Sequence, residues 1–285
     1  WEIPKKKGLS QKVISWCFKS KFKLAICTED GTAGNLWMKK SLDSSVNTKI
    51  LLNGVGKKKK IKNNYRKKIN ISFVGRLESI KGCEEFIRGI SLLNENDKKK
   101  IIVNVIGTGS LEKKILMMIS KLNLKHIINY QRRIPHNQMS KIFRVTDIYV
   151  SLNKLGNLSN SNLEFFSSGI CSIIPEKNLR YKSDLEIEKY FSNDVIIKLP
   201  IKNIEKKLAD KLSYLINNRK VINNYSNGKD LVIDVVHVVL PHEVDPCANG
   251  SRDVLAHAIT KVLDQKSIRE TARNMNQLVV EAIED

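Results

Sequence analysis

Apolar runs of strand length alternate with amphipathic stretches of helix length along most of the chain. This alternation is typical of βαβ units and predicts a parallel sheet. Five strands are expected at Asn70–Val74, Ile101–Ile106, His126–Tyr130, Asp147–Leu152 and Cys171–Ile174. Helices are expected between them at Lys81–Leu93, Leu111–Leu122, Asn137–Val145 and Leu163–Ser168. Together they predict an α/β fold, a doubly wound parallel sheet of the Rossmann type.

The charge of the chain is unevenly distributed. The 50 Lys and Arg against 29 Asp and Glu give a net charge of +21. Residues 231–285 carry 5 basic and 9 acidic groups, which leaves +25 for residues 1–230. The first part is rich in Lys, Asn and Ile, which share AT-rich codons, and selection for nucleic-acid binding would not raise Ile. We therefore attribute most of the charge to genome composition and treat residues 231–285 as a tail of different composition.

The most basic stretch is residues 56–69, which contain KKKKIKNNYRKK. We interpret this stretch as a solvated linker between domains. A more specific alternative is that this stretch binds an anionic membrane surface. Another is that the chain is a basic nucleic-acid-binding protein. One aromatic residue offers little for bases to stack on, so we do not expect nucleic acid as a partner.

The tail contains a weak internal repeat. Five residues recur at an offset of 47, among them Leu208 and Ala209 as Leu255 and Ala256. This spacing suggests a tandem copy of the C-terminal helices, and Val235–Leu240 could add a strand.

The five cysteines contain no C-x-x-C pair, which favours a reducing compartment and argues against a zinc site. No apolar stretch is long enough to span a bilayer. We expect a cytoplasmic protein without a metal cofactor, with a peripheral position at the inner face of the membrane as an alternative.

The loop after the first central strand carries candidate chemistry. Ligands bind parallel sheets outside the carboxyl ends of the strands. Here Gly75 would let a backbone approach a ligand, and Arg76 and Lys81 would flank the start of the next helix. Two cations at a helix start make an anion site, most plausibly for a diphosphate. The alternative is chance placement in a chain with many basic residues.

Two further loops also precede helices. Gly107 and Gly109 lie in a turn that is too short for a dinucleotide-binding fingerprint, so a tight turn capped by Ser110 is equally plausible. In the loop of residues 155–164, Asn160 and Ser161 offer backbone amides at a helix start. Glu164 could accept hydrogen bonds from a ribose diol, or it could simply be an acid favoured by the helix dipole.

Several segments resemble one enzyme family. ISFVGRLESIKG, VNVIGTGSLEKKI, NYQRRIPHNQMSKIFRVTDIYVSL and LEFFSSGICSIIPE follow the order and spacing of the C-terminal, nucleotide-sugar-binding domain of group 1 retaining glycosyltransferases of the GT-B fold. The resemblance covers roughly residues 49–218. It implies residues 1–55 as the end of an N-terminal Rossmann-like domain, 56–69 as a linker and 70–230 as the nucleotide-sugar-binding domain.

The resemblance also implies roles. Arg76 and Lys81 would hold the diphosphate of a nucleotide-sugar donor such as a UDP-sugar and would carry the catalysis, while Glu164 would bind the ribose. Gly75, Gly107, Gly109, Asn160 and Ser161 would complete the donor site. The sugar would pass with retention to an unknown sugar, lipid-linked or protein acceptor.

One position departs from the family pattern. Members usually carry a second glutamate eight positions before the helix glutamate, near the transferred sugar, and this position is Gly156. The residues next to Gly156 suggest that backbone amides and Asn157 or Asn160 bind the transferred sugar. The departure leaves open a non-catalytic partner that retains nucleotide affinity.

Overall fold

The computed structural model describes residues 15–52, 66–185, 187, 191 and 196–226. These residues fall into two compact units. The first holds the described residues up to 28 together with 34–52, and the second holds 29–33 and those from 66 onwards. The tail 231–285, with its expected repeat and strand, and most of the linker 56–69 lie outside the described residues.

The first unit contains a short strand–helix–strand arrangement. Strand β1 is Leu24–Glu29, helix α1 is Gly34–Ser41 and strand β2 is Asn47–Leu52, and the two strands form one sheet. Met38 is buried, whereas Lys39 and Lys40 at the end of the helix are exposed. The sequence predicts short strands at Lys23–Cys27 and Lys49–Leu52 around a helix near Asn35–Ser41. The structure confirms these three elements, with strand ends shifted by one or two residues.

The second unit is built on a parallel sheet of six strands in the order β5-β4-β3-β6-β7-β8. The strands are β3 Ile69–Val74, β4 Ile101–Ile106, β5 Ile128–Gln131, β6 Ile148–Val150, β7 Cys171–Pro175 and β8 Ile196–Leu199. The predicted doubly wound α/β fold is confirmed. Strand β8 was not predicted, because four residues that include Lys198 give only a weak strand signal.

Helices connect these strands. They are α2 Cys83–Ser91, α3 Glu95–Lys99, α4 Glu112–Lys121, α5 Met139–Val145, α6 Asn160–Ser167, α7 Ile204–Asn217 and α8 Arg219–Ser226. Two 3-10 turns, Ser79–Lys81 and His136–Gln138, precede α2 and α5. Helix α3 was not predicted. It is short and is held by Asn94, whose side chain accepts a hydrogen bond from the Asp97 amide at 2.9 Å.

The predicted start of α2 at Lys81 is wrong. Lys81 ends the preceding 3-10 turn, and Gly82 adopts a left-handed conformation with φ +69° before the helix begins at Cys83. A side chain at position 82 would overlap the carbonyl of Leu152, so the chain needs glycine there. Lys81 is therefore presented from a loop, one residue removed from the helix.

Two apolar clusters fix the loops at the carboxyl ends of the strands. The main core includes Ile71, Phe73 and Phe86, and the sheet is covered on both faces, which explains the nearly continuous apolar strands. A second cluster joins α5 and α6, where the rings of Tyr149 and Phe165 stack at 3.7 Å between centroids. This stack anchors the helix that carries Glu164.

Candidate donor site

The candidate site lies where the order of the strands reverses. From β3 the sheet grows through β4 to β5 on one side and through β6 to β8 on the other. In open α/β sheets, ligands bind at this switch point, outside the carboxyl ends of the strands. The loops after β3 and β6 touch there, since the Lys154 amide donates to the Ile80 carbonyl at 2.8 Å.

The loop after β3 brings Arg76 and Lys81 together. Arg76 is exposed and Lys81 is partly buried. Burial lowers the pKa of the Lys81 ammonium, and the Arg76 guanidinium lowers it further, while Asp30 raises it. The two cations are thus close enough to repel each other. A bound anion would relieve this repulsion.

The three glycines predicted for the donor site differ in their surroundings. Around Gly75, a Cβ atom would meet nothing within 4 Å, so a ligand can approach the backbone. Gly107, at φ +154°, packs on the carbonyl of Gly75, and Gly109 packs on the backbone of Leu77. Close packing of the loops after β3 and β4 therefore accounts for glycine at positions 107 and 109.

Ser110 ties the same two loops together. Its amide donates to Glu78 Oε1 at 2.9 Å, and its hydroxyl donates to Glu78 Oε2 at 2.5 Å. These bonds lower the pKa of the Glu78 carboxyl. The alternative in which Ser110 caps the next helix is wrong, because α4 begins after Leu111 and has no side-chain cap.

Asn160, Ser161 and Glu164 lie at the start of α6, as predicted. Asn160 is exposed, and Ser159 before it makes no side-chain cap bond. Glu164 Oε1 lies 2.9 Å from His136 Nε2, with 13% of the glutamate side chain exposed against 84% of the histidine side chain. No role was predicted for His136, which lies 28 residues away in a 3-10 turn after β5, so no local spacing connects the two.

Position 156 has no room for a side chain. Gly156 has φ +130°, and a Cβ atom there would lie 2.5 Å from the carbonyl oxygen of Asp30 and 2.8 Å from the carbonyl carbon of Gly31. The Leu158 amide also donates to the Asp30 carbonyl at 3.1 Å. The backbone of residues 30–31 therefore lies against the position where the resemblance leads one to expect a glutamate.

Asn157 is fully buried and bonded to Asp184. Its backbone amide donates to Asp184 Oδ1 and its side-chain amide to Asp184 Oδ2, both at 2.7 Å. The expectation that the side chain of Asn157 reads the sugar is therefore corrected, because that side chain holds the loop together. Burial raises the pKa of Asp184 to about 6, the bonds from Asn157 oppose this shift, and Glu29 and Asp30 add to it.

Asn162 connects this loop to the sheet. Its side-chain amide donates to Ser151 Oγ at 3.1 Å and to the Asn157 carbonyl at 3.0 Å, and it accepts from the Tyr149 hydroxyl at 2.8 Å. All its neighbours in this network are buried. A buried polar network whose members are bonded to one another fixes a single loop conformation.

Residues 55–229 match the family described as glycosyl transferases group 1. This match spans more than half of the chain and contains every candidate site residue. The chain belongs to the glycosyl transferases group 1 family. The family consists of transferase enzymes, and its parallel α/β domain is the one found here.

Individual relatives of this family support the assignment. An uncharacterized glycosyltransferase of Methanocaldococcus jannaschii is 34% identical over 120 residues, which is 41% of this chain and 30% of that protein. The chain thus spans less than a third of this curated relative.

Solved structures show the fold. S. aureus TarM gives a TM-score of 0.64 at 16% identity, over 89% of this chain and 47% of that one. Sucrose-phosphate synthase from Thermosynechococcus elongatus gives a TM-score of 0.60 at 12% identity, over 95% of this chain and 61% of that one. Anabaena HepE gives a TM-score of 0.59 at 11% identity, over 96% of this chain and 66% of that one.

A separate cavity of this glycosyl transferases group 1 chain has a volume of about 270 Å³ and lies past the ends of β6 and β7. Its walls include Asn153 and Asp184 but none of Arg76, Lys81 and Glu164. Asn153 and Asp184 are bonded within the fold, Asn153 to the Gly156 carbonyl and Asp184 to Asn157. The cavity is therefore separate from the candidate donor site.

The described residues offer neither a cluster of metal ligands nor a membrane-spanning helix. Among residues 15–52, 66–185, 187, 191 and 196–226, no three His, Cys, Asp or Glu side chains group as metal ligands. None of the helices in the same ranges has the length and apolar character required to cross a membrane.

Proposed function

We propose that this chain is the donor-binding part of a glycosyltransferase that moves a sugar from a nucleoside-diphosphate sugar to an acceptor with retention. The observation that carries the proposal is that Arg76 and Lys81 lie in one loop after β3, at the switch point of the sheet, where burial and Arg76 both lower the pKa of Lys81. Two cations that repel each other gain most from a doubly charged ligand.

The same two cations would serve the chemistry. When the bond between the sugar and the diphosphate breaks, negative charge grows on the departing phosphate oxygen. Fixed cations aimed at that charge stabilise the transition state more than the ground state. Each charge-assisted hydrogen bond contributes about 1.5 to 3 kcal/mol. Arg76 and Lys81 are therefore the residues to which we assign catalysis.

Glu164 is our candidate for the ribose. Its carboxylate lies in the first turns of α6, held by the stack of Tyr149 on Phe165 and paired with His136. A carboxylate accepts hydrogen bonds from both hydroxyls of a ribose diol. The exposed His136 can move aside at low energetic cost, because a single hydrogen bond contributes a net of only about 0.5 to 1.5 kcal/mol.

UDP is the nucleotide we favour. The solved structures of S. aureus TarM and Anabaena HepE both contain UDP, and HepE also contains glucose. Both share the fold of this chain, and a common fold presents the same switch point to the nucleotide. The acceptor we propose is a sugar or a lipid-linked or protein-borne hydroxyl group.

A non-catalytic partner that binds the nucleotide is the second candidate. It is favoured by Gly156, because the backbone of Asp30 and Gly31 occupies the space that a side chain would need. A protein of this kind would bind the donor through the same cations without transferring the sugar.

Calorimetric titration with a panel of nucleoside diphosphates and their sugars tests the proposal. We expect UDP to bind with a dissociation constant between about 1 μM and 1 mM, which corresponds to about 8 to 4 kcal/mol. The absence of heat with every nucleoside diphosphate would contradict it. Release of UDP from UDP-sugars in the presence of candidate acceptors then separates the enzyme from the non-catalytic partner.

A further inference from the structure

One segment of the second unit, which includes the outermost strand of the sheet, contains basic but no acidic side chains. Between Glu112 and Asp147 the sequence contains no Asp or Glu, and this segment, Lys113–Thr146, forms α4, β5 and α5. We call it the basic edge. It has eight Lys and Arg, all of them exposed: Lys113, Lys114, Lys121, Lys125, Arg132, Arg133, Lys141 and Arg144. Strand β5 is the outermost strand of the sheet on this side.

Most of these cations have no acidic partner. Lys114 pairs with Glu84 at 2.7 Å and Arg132 pairs with Glu112 at 2.8 Å. The other six form no ion pair with any residue that the structure describes. Codon bias explains many lysines but not the lack of acids over 34 residues. The basic edge is therefore an unneutralised surface that favours an anionic partner.

The basic edge also exposes apolar side chains on α4. Leu116 is 40% exposed and Met117 is 56% exposed, while Ile115 and Ile119 on the other face are buried. Lys113 and Lys121 lie one helical turn before and after Met117. An apolar groove of about 490 Å³ continues from Leu116 and Met117 to Tyr130 on β5.

Apolar side chains flanked by lysines suit the boundary between lipid headgroups and acyl chains. The apolar groups enter that boundary, and the lysines keep their charges at the level of anionic headgroups. Nucleic acid fits less well, because bases require aromatic platforms and Tyr130 is the single aromatic side chain in the groove. A second copy of the chain fits poorly too, since a twofold contact would bring this positive surface against itself.

We propose that the basic edge is a docking surface for an anionic lipid membrane, with Leu116 and Met117 entering the headgroup region and Lys113, Lys121 and Lys125 facing lipid phosphates. The proposal is independent of glycosyl transfer, because none of these residues belongs to the donor site.

Flotation of the full chain with lipid vesicles tests the proposal. We expect the protein to float with vesicles of equal parts phosphatidylcholine and phosphatidylglycerol and not with phosphatidylcholine alone. Each lysine near an anionic surface contributes about fivefold to partitioning. The double variant Lys121→Gln/Lys125→Gln should thus bind about 25-fold more weakly. Leu116→Ser/Met117→Ser should weaken binding about fivefold or more.

Matched changes outside the basic edge provide the controls. Lys206→Gln/Lys207→Gln alters two exposed lysines of α7, and Leu179→Ser alters an apolar side chain that is 72% exposed. Neither change should affect flotation. UDP affinity and thermal unfolding, measured on every variant, should match the parent, which shows that the variants are folded and that the donor site is intact.

Three outcomes would overturn the proposal. Flotation that is the same in the parent and in both edge variants would place lipid binding elsewhere, for example on the linker 56–69. Edge variants that lose affinity for RNA, but not for vesicles, would assign the surface to nucleic acid. A dimer in the ultracentrifuge that the Leu116→Ser/Met117→Ser variant abolishes, with vesicle binding unchanged, would make the edge a contact between copies.

Discussion

The carboxylate of Asp184 accepts two hydrogen bonds of 2.7 Å from Asn157, one from its backbone amide and one from its side-chain amide. The Asp184 amide in turn donates to the Gly31 carbonyl at 2.7 Å. Three segments that are distant in sequence therefore meet at one buried carboxylate. This junction fixes the loop before α6, and with it the start of the helix that carries Glu164.

Asp184 should make stability depend on pH. Burial raises its pKa from 3.8 to about 6, so the native state binds the proton more tightly than the unfolded chain does. The stability is then fully present below about pH 4 and decreases as the pH rises to about 6, by roughly 3 kcal/mol. Asp184→Asn should remove this decrease.

Urea unfolding of the parent and of Asp184→Asn across this pH range measures the effect. The stability of the parent relative to the variant should fall as the pH rises. Asp210→Asn, on the exposed side of α7, is the control and should leave the pH profile of the parent unchanged. A parent–variant difference that stays constant with pH would show that Asp184 is not held in a buried site.

Gly156→Ala should destabilise the fold by about 2 to 5 kcal/mol. The new Cβ would overlap the Asp30 carbonyl, and alanine is strained at φ +130°. Urea unfolding measures this loss. Gly75→Ala is the matched control, because its Cβ meets nothing within 4 Å and stability should change by less than about 0.5 kcal/mol. Equal stability of both variants would mean that residues 30–31 do not pack on Gly156.

Gly75→Ala should nevertheless weaken the binding of UDP. The new methyl group would enter the open space through which the diphosphate reaches the backbone. Titration calorimetry of this stable variant separates a role in binding from a role in folding. Unchanged affinity would remove Gly75 from the donor site and leave the other assignments in place.

Glu164→Ala should abolish the preference of the protein for UDP over 2′-deoxy-UDP. The parent should bind UDP at least about tenfold more tightly, because a hydrogen bond to a charged group contributes about 1.5 to 3 kcal/mol. His136→Ala should change UDP affinity by less than about fivefold, since the exposed His136 makes a single hydrogen bond to Glu164. A Glu164→Ala variant that still discriminates between the two nucleotides would place the ribose elsewhere.

The sheet could be predicted from the sequence because most of its strands are buried on both faces and are rich in apolar residues. The bounds of Ile101–Ile106 agree with the prediction, whereas β8 was missed because it is short and contains Lys198. The start of α2 was placed too early, since the left-handed turn at Gly82 is imposed by the neighbouring Leu152 carbonyl. Such a constraint exists only once the strands are assembled.

For the candidate donor site, the sequence could predict only those residues that lie in the loops at the ends of strands. The positions of Arg76 and Lys81 follow from the loop after β3, and Glu164 follows from the start of α6. The contacts of His136 with Glu164 and of Asn157 with Asp184 join residues 28 and 27 positions apart. Tertiary packing creates these pairs, and no sequence period indicates them.

Titration of UDP into the parent and into Arg76→Ala, Lys81→Ala and Lys206→Ala tests the central claim most directly. We predict that the loss of either Arg76 or Lys81 weakens UDP binding at least about tenfold, because each provides a charge-assisted contact of about 1.5 to 3 kcal/mol. Lys206 on the exposed face of α7 should have no effect. Affinity that is unchanged in both the Arg76 and the Lys81 variants would contradict a diphosphate site at the switch point.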